Sequence, residues 1–594
     1  MAKFTFQDFK GIVPRRGKTL LPPGHAETAD YAKLFSGEVK PFLSPVRVVS
    51  ATKGAGVKTI YLYENAFWLN WLTEVNVALG VAGDDDLKRI YWTGDGAPKK
   101  GSLTLVAPDF NGDLPRSSLP MGVAAPSAAP TVLGQGSAGA YVETRNYVYT
   151  FVTSWGEESA PSSPSLDVNV KAGESVVVGG METTAPAGYD TITLKRIYRT
   201  VTGADATEYL LVAEIPLADV SYSDGILAAD LGDEIATTDW NEPPATLAGL
   251  VVLGNGIYAG FVGKDVYLSA QNAPYAWPPG NFFSVEHDIV GLAAMGNSLV
   301  VLTRGVPYMF TVGDEADVSQ DKLTARFPCV ASRTIKTTMA GVAYATTGGV
   351  AFIRPGAVEQ ITKPYYIRSD WQELNPEEMF AEYHDERYYL FYRDTETAEM
   401  RGVVLDPVEE MVVTLPINAE AVHADLVRDS LYFSEDGEIY LFDGSALNPA
   451  TYTYRTNPAV SPAPVTMTAL AIYGGFDDIP TAAEAAALAA DIATVDAAND
   501  AIFADTLWDE GAIGGAPIGE FPFAGNGWQD LPTQGTFELT ARLIVDGVQM
   551  CERTVVSERP VPLVKNYLGR RFQVELEGTL RVERIDLASI AAEL

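Results

Sequence analysis

The stretch that decides the fold reads Leu247-Ala-Gly-Leu-Val-Val-Leu-Gly-Asn-Gly-Ile-Tyr-Ala-Gly-Phe-Val-Gly-Lys-Asp-Val-Tyr-Leu-Ser-Ala270. It contains three runs of apolar and aromatic residues, which are separated by turns at Gly254-Asn255-Gly256 and Gly263-Lys264-Asp265. Such runs suit a half-buried pleated surface, and turns of the Asn-Gly type require positive φ, so together they indicate β-hairpins. The stretch therefore predicts three consecutive antiparallel strands.

Units of this kind occur five times between Leu247 and Leu441, and we call them repeats 1 to 5. Their first turns lie at Asn255, Asn297, Gly348, Glu386 and Asp429, which gives spacings of 42, 51, 38 and 43 residues. Repeats of roughly 40 to 50 residues built from short strands are typical of β-propeller blades. We predict propeller blades over residues 243–455. The alternative is a run of unrelated meanders in ordinary sandwiches.

The composition is that of a well-buried globular protein with several domains. The chain has 594 residues, of which 47% are hydrophobic and 20% are charged, and these values exclude general disorder. Its two cysteines, Cys329 and Cys551, do not make a disulfide framework or a thiolate metal cluster and are expected to be buried free thiols. The first residues lack the apolar region of a signal peptide, and no stretch of 18 apolar residues occurs. Synthesis in the cytoplasm without a membrane span is therefore expected.

The charge is strongly negative and unevenly distributed. The net charge is −35, yet residues 1–60 carry ten Lys/Arg against four Asp/Glu, a balance of +6. The segment from Thr456 to Ala541 carries twelve acidic residues and no Lys or Arg. A surface of this kind repels nucleic acid rather than binding it.

Changes in composition and in strand pattern along the chain predict the remaining domains. The overall expectation is an all-β fold, in which a β-propeller carries an inserted Ig/fibronectin-III-like β-sandwich and a short helical or loop segment near the C-terminus. The predicted segments outside the repeats are a basic docking arm at 1–57, propeller strands and a linker at 58–125, the sandwich at 126–242, an acidic helix and loop segment at 456–541 with an amphipathic helix over 481–505, and C-terminal strands at 542–594 that close the propeller.

Several residue groups could carry chemistry, and each has a structural interpretation that we favour. Gly134-Gln-Gly-Ser-Ala-Gly139 matches G-x-G-x-x-G but precedes a predicted strand, whereas a dinucleotide site needs a following helix. Asp84-Asp85-Asp86 could hold Ca²⁺ through oxygen ligands. The candidate metal ligands are His384 with Asp385 and Glu386, and His423 with Asp425. Turn chemistry explains these acidic residues, so we predict no catalytic, metal or cofactor-binding residues and no enzymatic activity.

Several motifs occur in an order that is found in one known family. They are Phe9-Lys10-Gly11-Ile-Val-Pro14 with Leu20-Leu21-Pro22, Leu34-Phe35-Ser36-Gly37, Arg89-Ile-Tyr-Trp-Thr-Gly-Asp-Gly96, Ser269-Ala270 with Pro274 and Trp277-Pro278, Asp288-Ile-Val-Gly-Leu292 with Gly296-Asn-Ser-Leu-Val-Val-Leu-Thr303, and an ending from Gly569-Arg570-Arg571 to Leu587-Ala588 and Glu593-Leu594. The chain thereby resembles the tail nozzle, or tail tubular protein B-like, proteins of short-tailed bacteriophages.

The resemblance implies a structural virion protein that forms the distal tail tube and conducts DNA during genome ejection. Such subunits commonly form a ring of six below an adaptor and portal, beside tail fibres and facing the host cell envelope at the tip. DNA would pass through the lumen without specific binding, and the segment 456–541 is expected at the lumen or tip. The alternative is a carbohydrate- or receptor-binding propeller on a fibre or cell surface, for which the Trp277 loop is the candidate. A propeller hydrolase would need carboxylates clustered at the propeller centre.

Overall fold

Strands dominate the computed structural model, which describes residues 2–81, 85–108, 112–135, 140–171, 173–201, 208–313, 318–406, 411–445, 448–476 and 538–594, together with five single positions between 486 and 497. Within these ranges the helices are Leu103–Val106, Arg368–Glu373 and the 3₁₀ turns Lys18–Leu20, Ala228–Asp230, Ser332–Thr334 and Ala591–Glu593. None of the helices in the described part of the chain is long and apolar enough to cross a membrane. The all-β prediction is confirmed.

The chain forms two compact units. Unit 1 contains residues 1–49, 361–375 and 382–594, and unit 2 contains residues 50–360 and 376–381.

Repeats 1 to 3 form three consecutive four-stranded antiparallel sheets in unit 2. Their strands are Ala248–Val252, Tyr258–Val262, Asp265–Leu268 and Phe282–Ser284 in repeat 1; Ile289–Met295, Ser298–Thr303, Tyr308–Val312 and Val318–Lys322 in repeat 2; and Lys336–Thr338, Gly341–Thr346, Gly349–Arg354 and Ala357–Gln360 in repeat 3. The strands follow chain order in each sheet, so each repeat is a meander. The hairpins predicted at the first turns are present. Each sheet has one edge strand that the sequence pattern did not predict, namely the last strand in repeats 1 and 2 and the first strand in repeat 3.

Consecutive sheets pack face to face. Val266 of repeat 1 shares an apolar core with Val301 of repeat 2. Val300, the next residue of that strand, belongs to a core with Val342 of repeat 3. Because successive side chains of a strand point to opposite faces, the strand Ser298–Thr303 is buried on both sides. Stacked meander sheets are the architecture of a β-propeller, and this prediction is confirmed.

A further blade lies next to repeat 1 in unit 2. Its strands are Asn76–Leu79, Ile90–Thr93, Lys99–Gly101 and Leu119–Pro120, and a hairpin of Thr59–Tyr63 and Phe67–Trp71 precedes it. Tyr91 of this blade contacts Tyr258 of repeat 1, with ring centroids 5.7 Å apart. Trp71 of the hairpin lies 6.1 Å from Trp92, measured between ring centroids. The N-terminal strands of unit 2 are thus part of the blade stack.

The inserted sandwich also belongs to unit 2 and is confirmed. One sheet contains Thr131–Gln135, Ser175–Gly179 and Ser221–Asp224; the other contains Tyr147–Thr153, Ile192–Thr200 and Tyr209–Pro216; Tyr141–Arg145 pairs with Val168–Lys171. Tyr149 and Phe151 from one sheet and Val176 and Val178 from the other meet in a common buried core. Alternating inward-facing residues on two sheets are the pattern expected of a sandwich.

Unit 1 contains repeat 4 from Glu382 onward, repeat 5 apart from Ser50, and both ends of the chain. Repeat 4 comprises Phe380–His384, Arg387–Arg393, Met400–Asp406 and Met411–Leu415. Its sheet continues through five further strands, which are His25–Asp30, Tyr452–Thr456, Gly569–Gly578, Leu539–Val545 and Val548–Thr554. Two more strands pair at the side of this sheet, namely Lys10–Ile12 and Ala459–Val465. Repeat 5 comprises Ala421–Asp425, Ser430–Glu435, Glu438–Leu441 and the early strand Val46–Ser50. A third sheet contains Lys3–Phe6, Val582–Ala588, Ala469–Gly474 and Val561–Pro562, and Ala32–Lys33 pairs with Lys40–Pro41.

The prediction of an extended arm at 1–57 is wrong, because most of this segment is built into unit 1. Lys3–Phe6 pairs with Val582–Ala588, and His25–Asp30 pairs with neighbours from residues 411–415 and 452–456. Phe9 is buried and makes an edge-on contact with Tyr454, with ring centroids 5.2 Å apart. These strands are short and lack alternation, and they are held by partners hundreds of residues away. Local sequence patterns therefore did not reveal them.

The bounds predicted for the acidic helix and loop segment, 456–541, are wrong at both ends. Ala459–Val465 and Ala469–Gly474 are strands, and Leu539–Val545 starts before the predicted C-terminal strands at 542. Within the helix predicted over 481–505, each described position is helical, namely Ala486, Ala490, Ala493, Thr494 and Ala497. The rest of residues 477–537 lies outside the described residues. Closure of the propeller by the C-terminal strands stays a prediction.

Candidate functional site

The predicted metal candidates around His384 form a hairpin turn. Asp385 and Glu386 have φ values of 47° and 61°, as expected for the two central residues of a tight turn between twisted strands. The imidazole Nδ1 of His384 lies 3.8 Å from a carboxylate oxygen of Asp429, whose side chain is 90% exposed. Among the residues that the structure describes, no three His, Cys, Asp or Glu side chains lie close enough together to hold a metal ion.

The second histidine candidate is likewise part of a sheet. His423 lies in the strand Ala421–Asp425 and is paired with Tyr432. The Asp425 carboxylate accepts a hydrogen bond from the backbone N–H of Val427 at 2.9 Å. Its role is to hold the turn that follows the strand, as Asp side chains commonly do.

The acidic run at 84–86 contains a turn-forming aspartate. The Asp85 carboxylate accepts hydrogen bonds from the Arg89 backbone N–H and the Arg89 Nε, both at 2.9 Å. Burial disfavours the charged carboxylate, but these bonds outweigh it and lower the pKa of Asp85 below its usual value. Asp84 lies outside the described residues, as do positions 136–139 of the glycine motif, while Gly134 lies in a strand.

Trp277, the aromatic candidate of the alternative function, is a core residue. Only 3% of it is exposed, and its indole Nε1 donates a hydrogen bond to the Pro274 carbonyl oxygen at 2.9 Å. It packs in one core with Tyr91, Met121 and Tyr258. A sugar-binding aromatic must present a face to solvent, so Trp277 does not supply such a site.

A groove of about 410 Å³ lies in unit 1 beside the strand Lys3–Phe6. Its lining includes Phe4, Asp8, Lys10 and Asn457. Asp8 and Lys10 are its only titratable lining groups apart from Tyr454, whose hydroxyl donates to backbone carbonyls. The lining of the groove therefore contains no nucleophile–base pair.

The sequence did not predict a buried ion pair that joins the N-terminal blade of unit 2 to the sandwich. Lys100 Nζ lies 2.5 Å from Glu157 Oε2, and the two side chains are 2% and 1% exposed. The ammonium also lies 5.7 Å from the ring centroid of Trp155 and 5.8 Å from that of Tyr275. The guanidinium of Arg89 approaches the same carboxylate at 4.0 Å.

Burial sets the electrostatics of this pair. It lowers the pKa of Lys100, while the charge of Glu157 and the hydrogen bond to it oppose the shift. Burial also raises the pKa of Tyr275 to about 12. A lysine with a lowered pKa is a group that enzymes use. Here the lysine and its carboxylate are almost fully enclosed, so the pair acts as a structural link.

A second buried ionic cluster holds the sandwich together. The Asp224 carboxylate lies 3.1 Å from Arg199 Nε and 3.3 Å from Arg145 Nη1. It also accepts a hydrogen bond from the Tyr147 hydroxyl at 2.7 Å. Asp224 belongs to one sheet, and Arg199 and Tyr147 belong to the other. The cluster thus connects the two sheets across their shared interior.

The two cysteines are free, and they differ in exposure. Cys329 is buried and Cys551 is half-buried, so the prediction of two buried thiols holds for Cys329 alone. Burial raises the pKa of the Cys329 thiol to about 12. Because the thiolate is the reactive form, Cys329 should stay unreactive at pH 8 in the folded protein.

We expect one thiol per chain to react with Ellman's reagent at pH 8 in the folded protein, and the second to react only after denaturation. Cys551→Ser should abolish the reaction of the folded protein, while Cys329→Ser should leave it unchanged. Two thiols that react at equal rates in the folded protein would contradict this assignment.

Comparisons with known proteins assign no family to the chain. No protein-family model and no curated protein matches the chain. Similar solved structures include BBS1N in complex with ARL6DN (10% identity, 45% of this chain and 84% of that chain, TM-score 0.22), Hsv2 of Kluyvelomyces marxianus (10%, 36% and 58%, 0.20) and the dihydro-heme d1 dehydrogenase NirN (9%, 53% and 66%, 0.24). These neighbours are β-propellers. At such TM-scores they carry no argument about function, and the fold assignment rests on the strand pairing described above.

Proposed function

We propose that the chain is a structural subunit of the distal tail tube of a short-tailed bacteriophage, and that copies of it form a ring around a channel for DNA. The observation that carries the proposal is that the first two motifs behind the resemblance and the last one lie together in unit 1. The motifs from Arg89 to Thr303 lie in unit 2. The backbone N–H of Phe9 donates to the carbonyl oxygen of Gly37 at 2.9 Å, which joins the first two motifs. At Gly11 any Cβ would collide with the carbonyl oxygen of Val412. The close packing of the two backbones therefore requires glycine at this position.

The last motif meets the first part of the chain in the same unit. Leu587 and Ala588 are paired with Phe4 and Lys3. Gly569-Arg570-Arg571 opens the strand Gly569–Gly578, which pairs with Tyr452–Thr456. The first two motifs and the last thus lie in or beside paired strands of the same unit. We take this shared location as support for the resemblance.

The negative net charge of the chain also agrees with a role as a tube for DNA. A net charge of −35 disfavours tight phosphate contacts, and a tube must let DNA slide. We propose as partners further copies of the chain, the adaptor on the portal side, tail fibres and the host envelope at the tip, with location in the virion tail and no enzymatic activity. The alternative of a carbohydrate-binding propeller loses its candidate aromatic residue, since Trp277 is buried.

Immunogold labelling of purified phage particles tests the proposal. Antibodies raised against the purified chain should label the end of the tail, and class averages of labelled particles should place it below the adaptor. Particles treated with antibodies from before immunisation are the control. Label on the capsid, on the fibres alone or on no particle would contradict the proposal.

Charge reversal in the acidic segment should slow genome ejection. The residues to replace by lysine lie outside the described residues and are Asp491, Asp496, Asp500, Asp505, Asp509 and Glu510. Each added cation near the bore would gain a salt-dependent phosphate contact, whereas charges farther than about 8 Å from DNA are screened at physiological salt. Ejection is measured by dye-labelled DNA release from assembled particles. Replacement of the same residues by asparagine is the control, and ejection of the lysine particles at the wild-type rate would contradict the expectation.

A further inference from the structure

One exposed surface of unit 1 combines basic and apolar side chains, and we call it the basic patch. It consists of the loop Pro14–Leu20 and the segment Lys363–Arg368. The loop is exposed at every position from Pro14 to Leu20, and Lys363, Ile367 and Arg368 are exposed as well. The cationic residues of the patch are Arg15, Arg16, Lys18, Lys363 and Arg368.

Hydrogen bonds fix the two segments of the patch side by side. The backbone N–H of Arg15 donates to the Tyr365 carbonyl oxygen at 2.7 Å, and Arg15 Nη1 donates to the Lys363 carbonyl oxygen at 3.0 Å. Within the loop, the N–H of Leu20 donates to the carbonyl oxygen of Gly17 at 2.8 Å. The patch is therefore a defined surface and not a flexible tail.

Most cations of the patch form no ion pair with the described residues of the chain. Lys18 pairs with Glu27 at 2.7 Å. The structure records no ion pair of Arg16, Lys363 or Arg368 with a carboxylate of the described residues. A protein with a net charge of −35 has ample acidic groups. Five cations of which Lys18 alone pairs with a carboxylate of the described residues are therefore a local exception that favours an acidic partner.

The exposed apolar residues of the patch favour a protein over DNA as its partner. Leu20 is 70% exposed and Ile367 is 43% exposed, next to the cations. Arginine together with apolar side chains is typical of protein–protein interfaces, whereas DNA phosphates would use the cations and leave the leucine and isoleucine in water. The partner is thus expected to be an acidic protein surface.

We infer that the basic patch binds the acidic surface of a second copy of this chain. A second copy supplies that surface, since the sequence pI is about 4.4. Attraction over a few ångströms between patch and partner can exceed the repulsion of the whole molecules, because salt screens charges that lie more than about 8 Å apart. The inference deepens the proposed function, on whose ring it rests, by naming a surface through which copies associate.

Charge reversal tests the inference on the full chain. Arg16→Glu combined with Lys363→Glu leaves the hydrogen bonds of Arg15 in place. The control combines Lys88→Glu with Arg326→Glu, which makes the same change in net charge at exposed positions outside the patch. Sedimentation velocity over a concentration series measures self-association at 50 and 500 mM NaCl, and circular dichroism checks that both variants are folded.

We expect the wild-type chain to associate, with weaker association in high salt, and the dissociation constant of the patch variant to rise by roughly tenfold or more. The control should behave as the wild type. A monomeric wild-type chain, or a patch variant that associates as the wild type does, would overturn the inference. Binding of a 30-base-pair duplex that the patch variant loses, with self-association unchanged, would assign the patch to nucleic acid instead.

These outcomes are separate from those of immunogold labelling. If the tail end is labelled while the patch variant still associates, the inference fails and the proposed function stands. If the patch drives association but the chain is absent from particles, the proposed function fails and the self-association surface stands.

Discussion

Glu157→Gln is expected to lower the free energy of unfolding of unit 2 by about 3–5 kcal/mol, because it leaves the buried Lys100 without a countercharge. Part of the loss can be relieved by deprotonation of the lysine, whose pKa burial already lowers. The destabilisation should therefore be smaller at pH 10 than at pH 7. Chemical denaturation followed by tryptophan fluorescence measures it, since Trp155 lies beside the ammonium.

The control is an exposed ion pair in the same unit. Arg354 and Glu359 lie 3.1 Å apart with both side chains 51% exposed, and Glu359→Gln should change the free energy of unfolding by about 1 kcal/mol or less. Lys100→Met combined with Glu157→Leu should recover much of the stability lost in the single variant, because the buried ammonium is removed together with its carboxylate. Equal effects of Glu157→Gln and Glu359→Gln would show that the buried pair is not a structural link.

Phe9→Ala is expected to lower the free energy of unfolding of unit 1 by about 3–5 kcal/mol, the usual cost of removing a buried phenylalanine side chain. Phe9 is 2% exposed and lies against Tyr454. The matched control is Leu20→Ala, at a 70% exposed position of the same N-terminal segment, where a change within about 0.5 kcal/mol is expected. Thermal unfolding and limited proteolysis of unit 1 measure both.

Deletion of residues 2–40 should have a still larger effect. It removes Lys3–Phe6 and His25–Asp30, and so leaves the partner strands Val582–Ala588 and Tyr452–Thr456 with unpaired edges. We expect aggregation of the deletion protein, since exposed edges invite intermolecular pairing. A soluble deletion protein with unit 1 resistant to proteases would restore the interpretation of this segment as an arm.

Local patterns predicted the repeat hairpins well, because turn chemistry and alternation are local properties. Asp385 and Glu386 illustrate this, since their positive φ values match the predicted turn. The unpredicted edge strands escaped prediction because they are short, as in Phe282–Ser284, or mostly polar, as in Val318–Lys322. Met400–Asp406 carries adequate apolar residues, and the turn before it is held by the Asp394 carboxylate, which accepts hydrogen bonds from the N–H groups of Glu396 and Thr397. No Gly or Pro marks this turn in the sequence.

Long-range pairing explains what the sequence could not reveal about the candidate site. Lys100 follows another lysine and Glu157 precedes another glutamate, so both resemble solvated surface residues. Their burial depends on the docking of the sandwich against a blade, which no local period encodes. Trp277 shows the reverse error, since a tryptophan between prolines suggested an exposed loop, and the structure buries it among Tyr91 and Tyr258.

The pairing of Lys3–Phe6 with Val582–Ala588 has a consequence for biosynthesis. At about 5–20 residues per second, a ribosome needs roughly half a minute to two minutes to pass from the first strand to the second. Unit 2 is complete in sequence once residue 381 has been made, so it can fold first, while the early strands of unit 1 wait without partners. During this interval the nascent chain exposes Phe6 and Phe9 together with open strand edges. Chaperone capture of the emerging N-terminus would then govern how much correctly folded protein a cell obtains.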